Sequence, residues 1–169
     1  MADTDPTSDP PLALSSINAM AAEIQASGVG PVTESFNASL IDAYRANGGQ
    51  LPGDLAMGRF LLLTTTGARS GKRRTVPLGF VRTEGRTFIL ASLGGRPENP
   101  AWYHNLVANP TVTVELGPDT YEAEAVVLQG EERDRIFEIC ARKVSNFGEY
   151  QRRTSRIIPV IELRPLSGD

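Results

Sequence analysis

The chain has almost no cysteine or histidine, with Cys140 and His104 the only ones in 169 residues. One cysteine cannot close an internal disulfide, and no paired Cys/His spacing marks a zinc site, so a reducing, cytoplasmic setting is expected. Long apolar runs are missing too. Nowhere do ~18 apolar residues run together as a membrane span requires, and the N-terminal MADTDPTSDPPLALSS lacks the basic flank of a signal peptide. Nor is there a basic excess: the formal net charge is −3, which argues against nucleic acid or an anionic membrane as partner. The G-x-S-x-G elbow and the H-E-x-x-H motif are absent, so any chemistry is expected to come from a bound cofactor.

The chain is long enough for one domain with a sizeable core, and its 40% hydrophobic and 22% charged content is that of a folding globular protein. Residues 1–11 are rich in Asp, Pro, Ser and Thr and cannot bury enough apolar surface to offset their ordering entropy. With a weak helix over 12–25, they make residues 1–32 a flexible extension before a domain over 33–169. A firmer helix is expected to start at Thr33 as N-cap, with Phe36, Leu40, Ile41 and Tyr44 on one face, and to stop at Asn47-Gly48-Gly49.

From Phe60 the texture becomes β. Residues 60–66 and 74–81 flank a polar turn and read as a hairpin, with Pro77 marking an edge, a bulge or a barrel corner where backbone is free to face a ligand. Residues 87–92 form a further strand, and 111–116 and 120–128 a second hairpin around Gly117-Pro118-Asp119. A helix over 131–144 and a last strand over 157–163 complete six antiparallel strands with few helices. The fold class is mainly β with flanking helices, a closed or nearly closed barrel.

Two stretches carry chemistry. Gly67-Ala68-Arg69-Ser70-Gly71-Lys72-Arg73-Arg74 sets four cations within six residues, at a turn whose two glycines let backbone amides approach a ligand closely. It matches neither a Walker A loop nor a dinucleotide fingerprint, and on composition alone it also fits a solvated basic turn. In the second stretch, Asn99 suits an N-cap and Pro100 the first helical position, so a short helix begins there with its amides facing the preceding loop. Trp102 and Leu106, four apart on this helix, also read as a core pair. His104 has no partner Ser or Cys motif and makes a poor case for catalysis.

Three segments in order, LLLTTTGARSGKRRTVPL, ASLGGRPENPAWYHNLVANPTVTVEL and EYQRRTSRIIPVIEL, resemble the deazaflavin-dependent nitroreductase family, from about Phe36 to Leu163. The resemblance implies a split β-barrel like that of flavin reductases and FMN-binding proteins. It also implies use of the deazaflavin coenzyme F420, with FMN the less favoured flavin. Arg69, Ser70, Gly71 and Arg74, with Lys72 and Arg73 beside them, match the positions that hold the anionic phosphate and oligoglutamate tail. Ser92, Pro100, Ala101, Trp102 and Asn105 match the stretch lining the deazaflavin ring, and Pro77 is a further expected coenzyme-binding residue. Relatives that activate nitroimidazoles carry several tyrosines around the substrate. Here the corresponding places are Gly79, Val144 and Phe147, with Tyr150 retained, and Leu93 stands where lysine is common.

The resemblance thus implies an oxidoreductase passing a hydride to a small-molecule acceptor, a quinone, enone or nitroaromatic. Tyr150 and Ser92 are the candidate catalytic groups, and a homodimer is compatible with the fold. The competing reading is a barrel that carries a fatty acid or similar lipophilic ligand, or an FMN reductase on the same scaffold; four cations beside two glycines have no obvious use in a lipid carrier.

Overall fold

A computed structural model describes residues 31–49 and 60–166, arranged as α1 (Pro31–Ala46), β1 (Phe60–Thr66), β2 (Arg73–Gly79), β3 (Val81–Thr83), β4 (Arg86–Leu90), α2 (Ala101–Ala108), β5 (Thr111–Leu116), β6 (Asp119–Val127), α3 (Gly130–Lys143), α4 (Ser145–Arg152) and β7 (Val160–Pro165). A 3₁₀ turn, Leu93–Gly95, precedes α2. The expected helix over 12–25, and nearly all of the N-terminal extension, lie outside the described residues.

The strands form one antiparallel sheet in the order β2-β1-β5-β6-β7-β4-β3. Its two edges, β2 and β3, are consecutive in the chain and separated only by Phe80. One residue of extended chain reaches little more than ~3.3 Å, so the sheet must curl until its edges meet at a corner. This is the split barrel. The described residues form seven strands rather than the expected six, because the run expected over 74–81 breaks at Phe80 and feeds both edges. Pro77 lies on edge strand β2, where its missing N–H costs no central ladder bond.

Strand alternation sorts the core. Leu61, Leu63, Val112, Val114, Ala123, Ala125, Ile161 and Leu163 point into the barrel with Leu106 of α2, and Trp102 packs against them. On the outer side Leu62 is buried beneath Tyr44, with Leu40 and Ile41 around it. A third cluster, Phe88, Leu90, Ile136, Cys140, Ile158 and Val160, seats α3 on the sheet. α1 runs from Pro31, so Thr33 lies within it rather than capping it. It ends as expected, with Gly48 and Gly49 at φ 63° and 91° and the Gly49 amide bonded to the Tyr44 carbonyl. A Cβ on Gly49 would collide with the backbone of Gly117, so glycine is also needed for that approach.

Other boundaries shift. The strand expected over 87–92 stops at Leu90, and the one expected over 157–163 is Val160–Pro165. The helix expected over 131–144 ends at Lys143 with Val144 as its cap, and α4 follows where no helix was expected. No described helix is long and apolar enough to cross a membrane.

Candidate functional site

The β1–β2 turn is built by local bonds. The Gly67 and Gly71 amides donate to the Lys72 and Gly67 carbonyls at 2.8 and 3.0 Å, and the Lys72 amide donates to Ser70 Oγ at 3.1 Å. A Cβ on Gly67 would lie 2.5 Å from the Ser70 hydroxyl and would displace it, and Gly71 takes φ 70°, which favours glycine. Asn105 on α2 ties the turn to the barrel. Its Oδ1 accepts from the Ala68 amide at 3.0 Å and its Nδ2 donates to the buried Thr65 hydroxyl at 3.2 Å.

Between turn and helix lies a cleft of about 560 Å³ lined by Gly67, Ala68, Arg69, Ser70, Arg74, Ala101, His104 and Asn105. No carboxylate is among them. Among the described residues the side chains of Arg69 and Arg74 make no hydrogen bond or ion pair, so both guanidinium forks are available to a ligand. Arg73 is not equivalent, because the pleat turns it to the opposite face, where it donates to the Thr66 and Thr113 hydroxyls. Arg74 pairs across the ladder with Thr65 on the inner side. A cleft with two guanidiniums, a hydroxyl, an imidazole and no acid has the donor set for a phosphate or carboxylate.

Five of the expected coenzyme residues, Arg69, Ser70, Arg74, Ala101 and Asn105, therefore meet in one place. Gly71 and Lys72 belong to the same turn without lining the cleft. His104, which its sequence context did not commend, joins the lining; its only described ring contact is edge-on with Tyr103 at 5.7 Å. Pro77 and Gly79 differ in parity from Arg74, and alternation turns them to the face on which Leu62 packs under Tyr44.

The remaining residues gather around the loop 92–100. Ser92 is 7% exposed, and Leu93 takes φ 46°, an uncommon value for a bulky side chain. Pro100, not Asn99, is the N-cap of α2, and no side chain caps that helix. Asn99 is occupied elsewhere, its Oδ1 accepting from Arg156 at 2.7 Å. The loop packs against α4, where a Cβ on Gly95 would lie 2.7 Å from the Tyr150 carbonyl. Tyr150 and Phe147 are half-buried against the α3 cluster, while Val144 is exposed. Burial raises the Tyr150 phenol above its ordinary value, against a smaller opposite pull from Arg153, so the hydroxyl stays protonated through neutral pH.

Three side chains that sequence reasoning passed over organise this region. Arg156 bonds three groups of the loop, Arg133 donates to the Ile158 carbonyl and Gln151 Oε1, and Gln151 also holds the Ile158 amide and the Arg156 carbonyl. For Gln151 and Arg156 the only signal was amide and cationic groups shortly before the apolar run Ile157-Ile158-Pro159-Val160, and Arg133, on α3, carried none.

Residues 38–165 match the family model described as F420H(2)-dependent quinone reductase. An F420H(2)-dependent quinone reductase of Mycobacterium tuberculosis is 42% identical over 106 residues, 61% of this chain and 71% of that protein. A solved structure titled as an F420-H2 dependent reductase, FDR-A, superposes with a TM-score of 0.58 at 42% identity, covering 63% of this chain and 94% of the other. A second, titled as a domain-swapped dimer, has the same identity and TM-score over 63% of this chain and 80% of its own. The chain therefore belongs to the F420H(2)-dependent quinone reductase family, oxidoreductases whose hydride donor is reduced coenzyme F420.

Proposed function

We propose that this protein transfers a hydride from reduced coenzyme F420 to a quinone, with enones as weaker and nitroimidazoles as poor acceptors. The observation that carries the reading is the acid-free cleft in which Arg69, Ser70 and Arg74 converge beside α2. It fits the coenzyme's anionic portion, and the two guanidiniums are the groups to hold phosphate or tail carboxylates bidentately. When bound, the reduced coenzyme supplies two electrons and one proton as a hydride; a quinone takes these plus one further proton to become a hydroquinone.

The protein's own part is to bind, orient and donate. Asn105, Ser70 and Gly67 hold the turn so that its cations face the cleft without reorganising. The loop 92–100 and Trp102 form the wall for the ring. Tyr150, kept neutral by burial, donates a hydrogen bond to the acceptor's carbonyl oxygen, and Ser92 stands on the loop beside it. Val144 and Phe147 offer no side-chain donors, which disfavours a nitro group and suits an apolar, carbonyl-bearing acceptor, while Gly79, on the opposite face of β2, takes no part. Residues 33–169 act in this reading as one coenzyme-binding unit, with 1–32 an extension before it. The domain-swapped dimer among similar structures supports a homodimer as the working form.

The test is a steady-state comparison with one coenzyme preparation and three acceptors, menadione, cyclohexenone and a nitroimidazole. Menadione should be reduced fastest, and a preference for the nitroimidazole would overturn the acceptor assignment. A fluorescence titration should show coenzyme F420 binding at least tenfold tighter than FMN, about 1.4 kcal/mol.

A further inference from the structure

The loop 92–99 departs from regular structure in a way that needs an external support. Leu93 holds a positive φ of 46° without being glycine, and Gly95, at φ 83°, lies against the backbone of Tyr150. A bulky residue in this region persists only where its surroundings over-determine it. One side chain supplies the over-determination. Arg156 Nε donates to the Arg96 carbonyl at 2.8 Å, one terminal nitrogen donates to the Ser92 carbonyl at 2.8 Å and the other to Asn99 Oδ1 at 2.7 Å. These three acceptors mark the start, middle and end of the loop. The backbone of Arg156 is itself anchored to α4, its carbonyl accepting from Gln151 Nε2 at 2.7 Å.

We infer that Arg156 is a positioning residue of the hydride-transfer site: its guanidinium locks the loop carrying Ser92 against the helix carrying Tyr150, setting the ring wall and the acceptor-side donor at one fixed separation. The inference rests on the proposed function for the purpose of that separation, and on the hydrogen bonds alone for the lock. A planar fork with three directed donors suits the task, and lysine, a point charge, can satisfy only part of it. The bond to Asn99, one residue before the Pro100 cap, extends the lock to α2, whose Ala101, His104 and Asn105 line the anion cleft.

The experiment compares wild type with Arg156→Gln, Arg156→Lys and the milder Asn99→Ala, with Arg135→Ala, in a surface ion pair to Glu84, as control. In the coenzyme-free proteins, hydrogen–deuterium exchange of the backbone amides of 93–96, 98 and 99 should speed up at least tenfold in Arg156→Gln while the amides of β1 and β5 keep their protection. In the loaded proteins, turnover with menadione should fall at least tenfold in Arg156→Gln with coenzyme affinity within threefold of wild type. Arg156→Lys should recover part of that loss, and Arg135→Ala should match wild type. Unchanged exchange over 93–99 would overturn the lock. Turnover that falls only in step with coenzyme affinity, or with a general loss of protection, would overturn the positioning role. If instead wild type itself neither binds nor oxidises the coenzyme, the proposed function fails while the exchange data still decide the lock.

Discussion

The Tyr44 hydroxyl accepts a hydrogen bond from the Gly117 amide at 2.8 Å and faces the carbonyls of Phe60 and Glu115 at 3.1 and 3.2 Å. One buried phenol thus fastens α1 to the β5–β6 turn and the start of β1. Tyr44→Phe keeps the packing against Leu62 but leaves the Gly117 amide unpaired, at a cost of about 1–3 kcal/mol. For a domain of this size that is a melting temperature lower by about 2–4 °C per kcal/mol, read by calorimetry. Coenzyme affinity should stay at the wild-type value, because none of these groups lines the cleft.

Arg74→Ala and Arg69→Ala should do the opposite. Each removes a charged donor worth about 1.5–3 kcal/mol of ligand affinity, roughly 10- to 150-fold in Kd, with melting temperature unchanged. Fluorescence titration in 50 and 300 mM salt checks both points, and binding should weaken at the higher salt. A normal Kd with a lowered melting temperature would make the arginine structural.

Tyr150→Phe removes the donor but not the ring that packs against the α3 cluster. Turnover should fall by up to two orders of magnitude, about 3 kcal/mol for a preorganised donor, with coenzyme Kd nearly constant. Because burial raises the phenol's value, wild-type turnover should show no loss assignable to Tyr150 ionisation between pH 6 and 9, a window chosen to lie below its ordinary 10.0.

Glu162, almost inaccessible on β7, accepts from Arg86 at 2.8 Å and Arg164 at 3.0 Å. The Arg86 hydrogen bond foremost, and then Arg164, hold its carboxyl below the ordinary 4.5 against the cost of burial. Its folded value lies below its unfolded one, so its stabilisation is complete above the unfolded value and disappears as pH falls through the folded one. Urea denaturation from pH 6 to pH 3 should show stability dropping in this acid window. Glu162→Gln should start less stable and flatten that part of the drop; an unaltered pH slope would remove Glu162 as a source.

Cys140 is fully buried between α3 and the sheet, and burial pushes its thiol up to about 11. Thiolate is the reactive form, so the native protein should resist a disulfide reagent at pH 8 and react with one equivalent once unfolded in guanidinium. Rapid native labelling would mean that α3 opens readily.

The hairpins were legible because their signals are local: an apolar and β-branched run stopped by the polar turn Gly67-Ala68-Arg69-Ser70-Gly71, and two runs flanking Gly117-Pro118. Phe80 was not. Nothing in Leu78-Gly79-Phe80-Val81 announces a chain leaving one edge of a sheet to found the other, since that corner exists only once five other strands have curled. α4 was hidden for a related reason, as SNFGEYQR is only eight residues long, contains a glycine and has only Phe147 and Tyr150 as large apolar side chains. Its seat comes from Gln151 and Arg133 bonding the chain before β7, partners that lie beyond the reach of any helical spacing rule. In the cleft, the cluster of cations could be seen in the sequence, but which of them face the ligand depends on strand parity. That parity separates Arg73 from Arg74 and sends Pro77 and Gly79 to the opposite side.

The place of β7 constrains the order in which the barrel can be made. Hairpins join β1 to β2, β3 to β4 and β5 to β6, and the long-range β1–β5 ladder joins the first and last of these into one ribbon, but among the described strands only β7 pairs with both β6 and β4. Until residues 160–165 emerge during synthesis, the two ribbons share the Phe80 hinge and no ladder. The inner faces of Leu61, Val114 and Ile89 stay open over that interval. Closure is therefore a late event of long sequence separation, the kind that slows folding and leaves apolar strand edges available to a second chain.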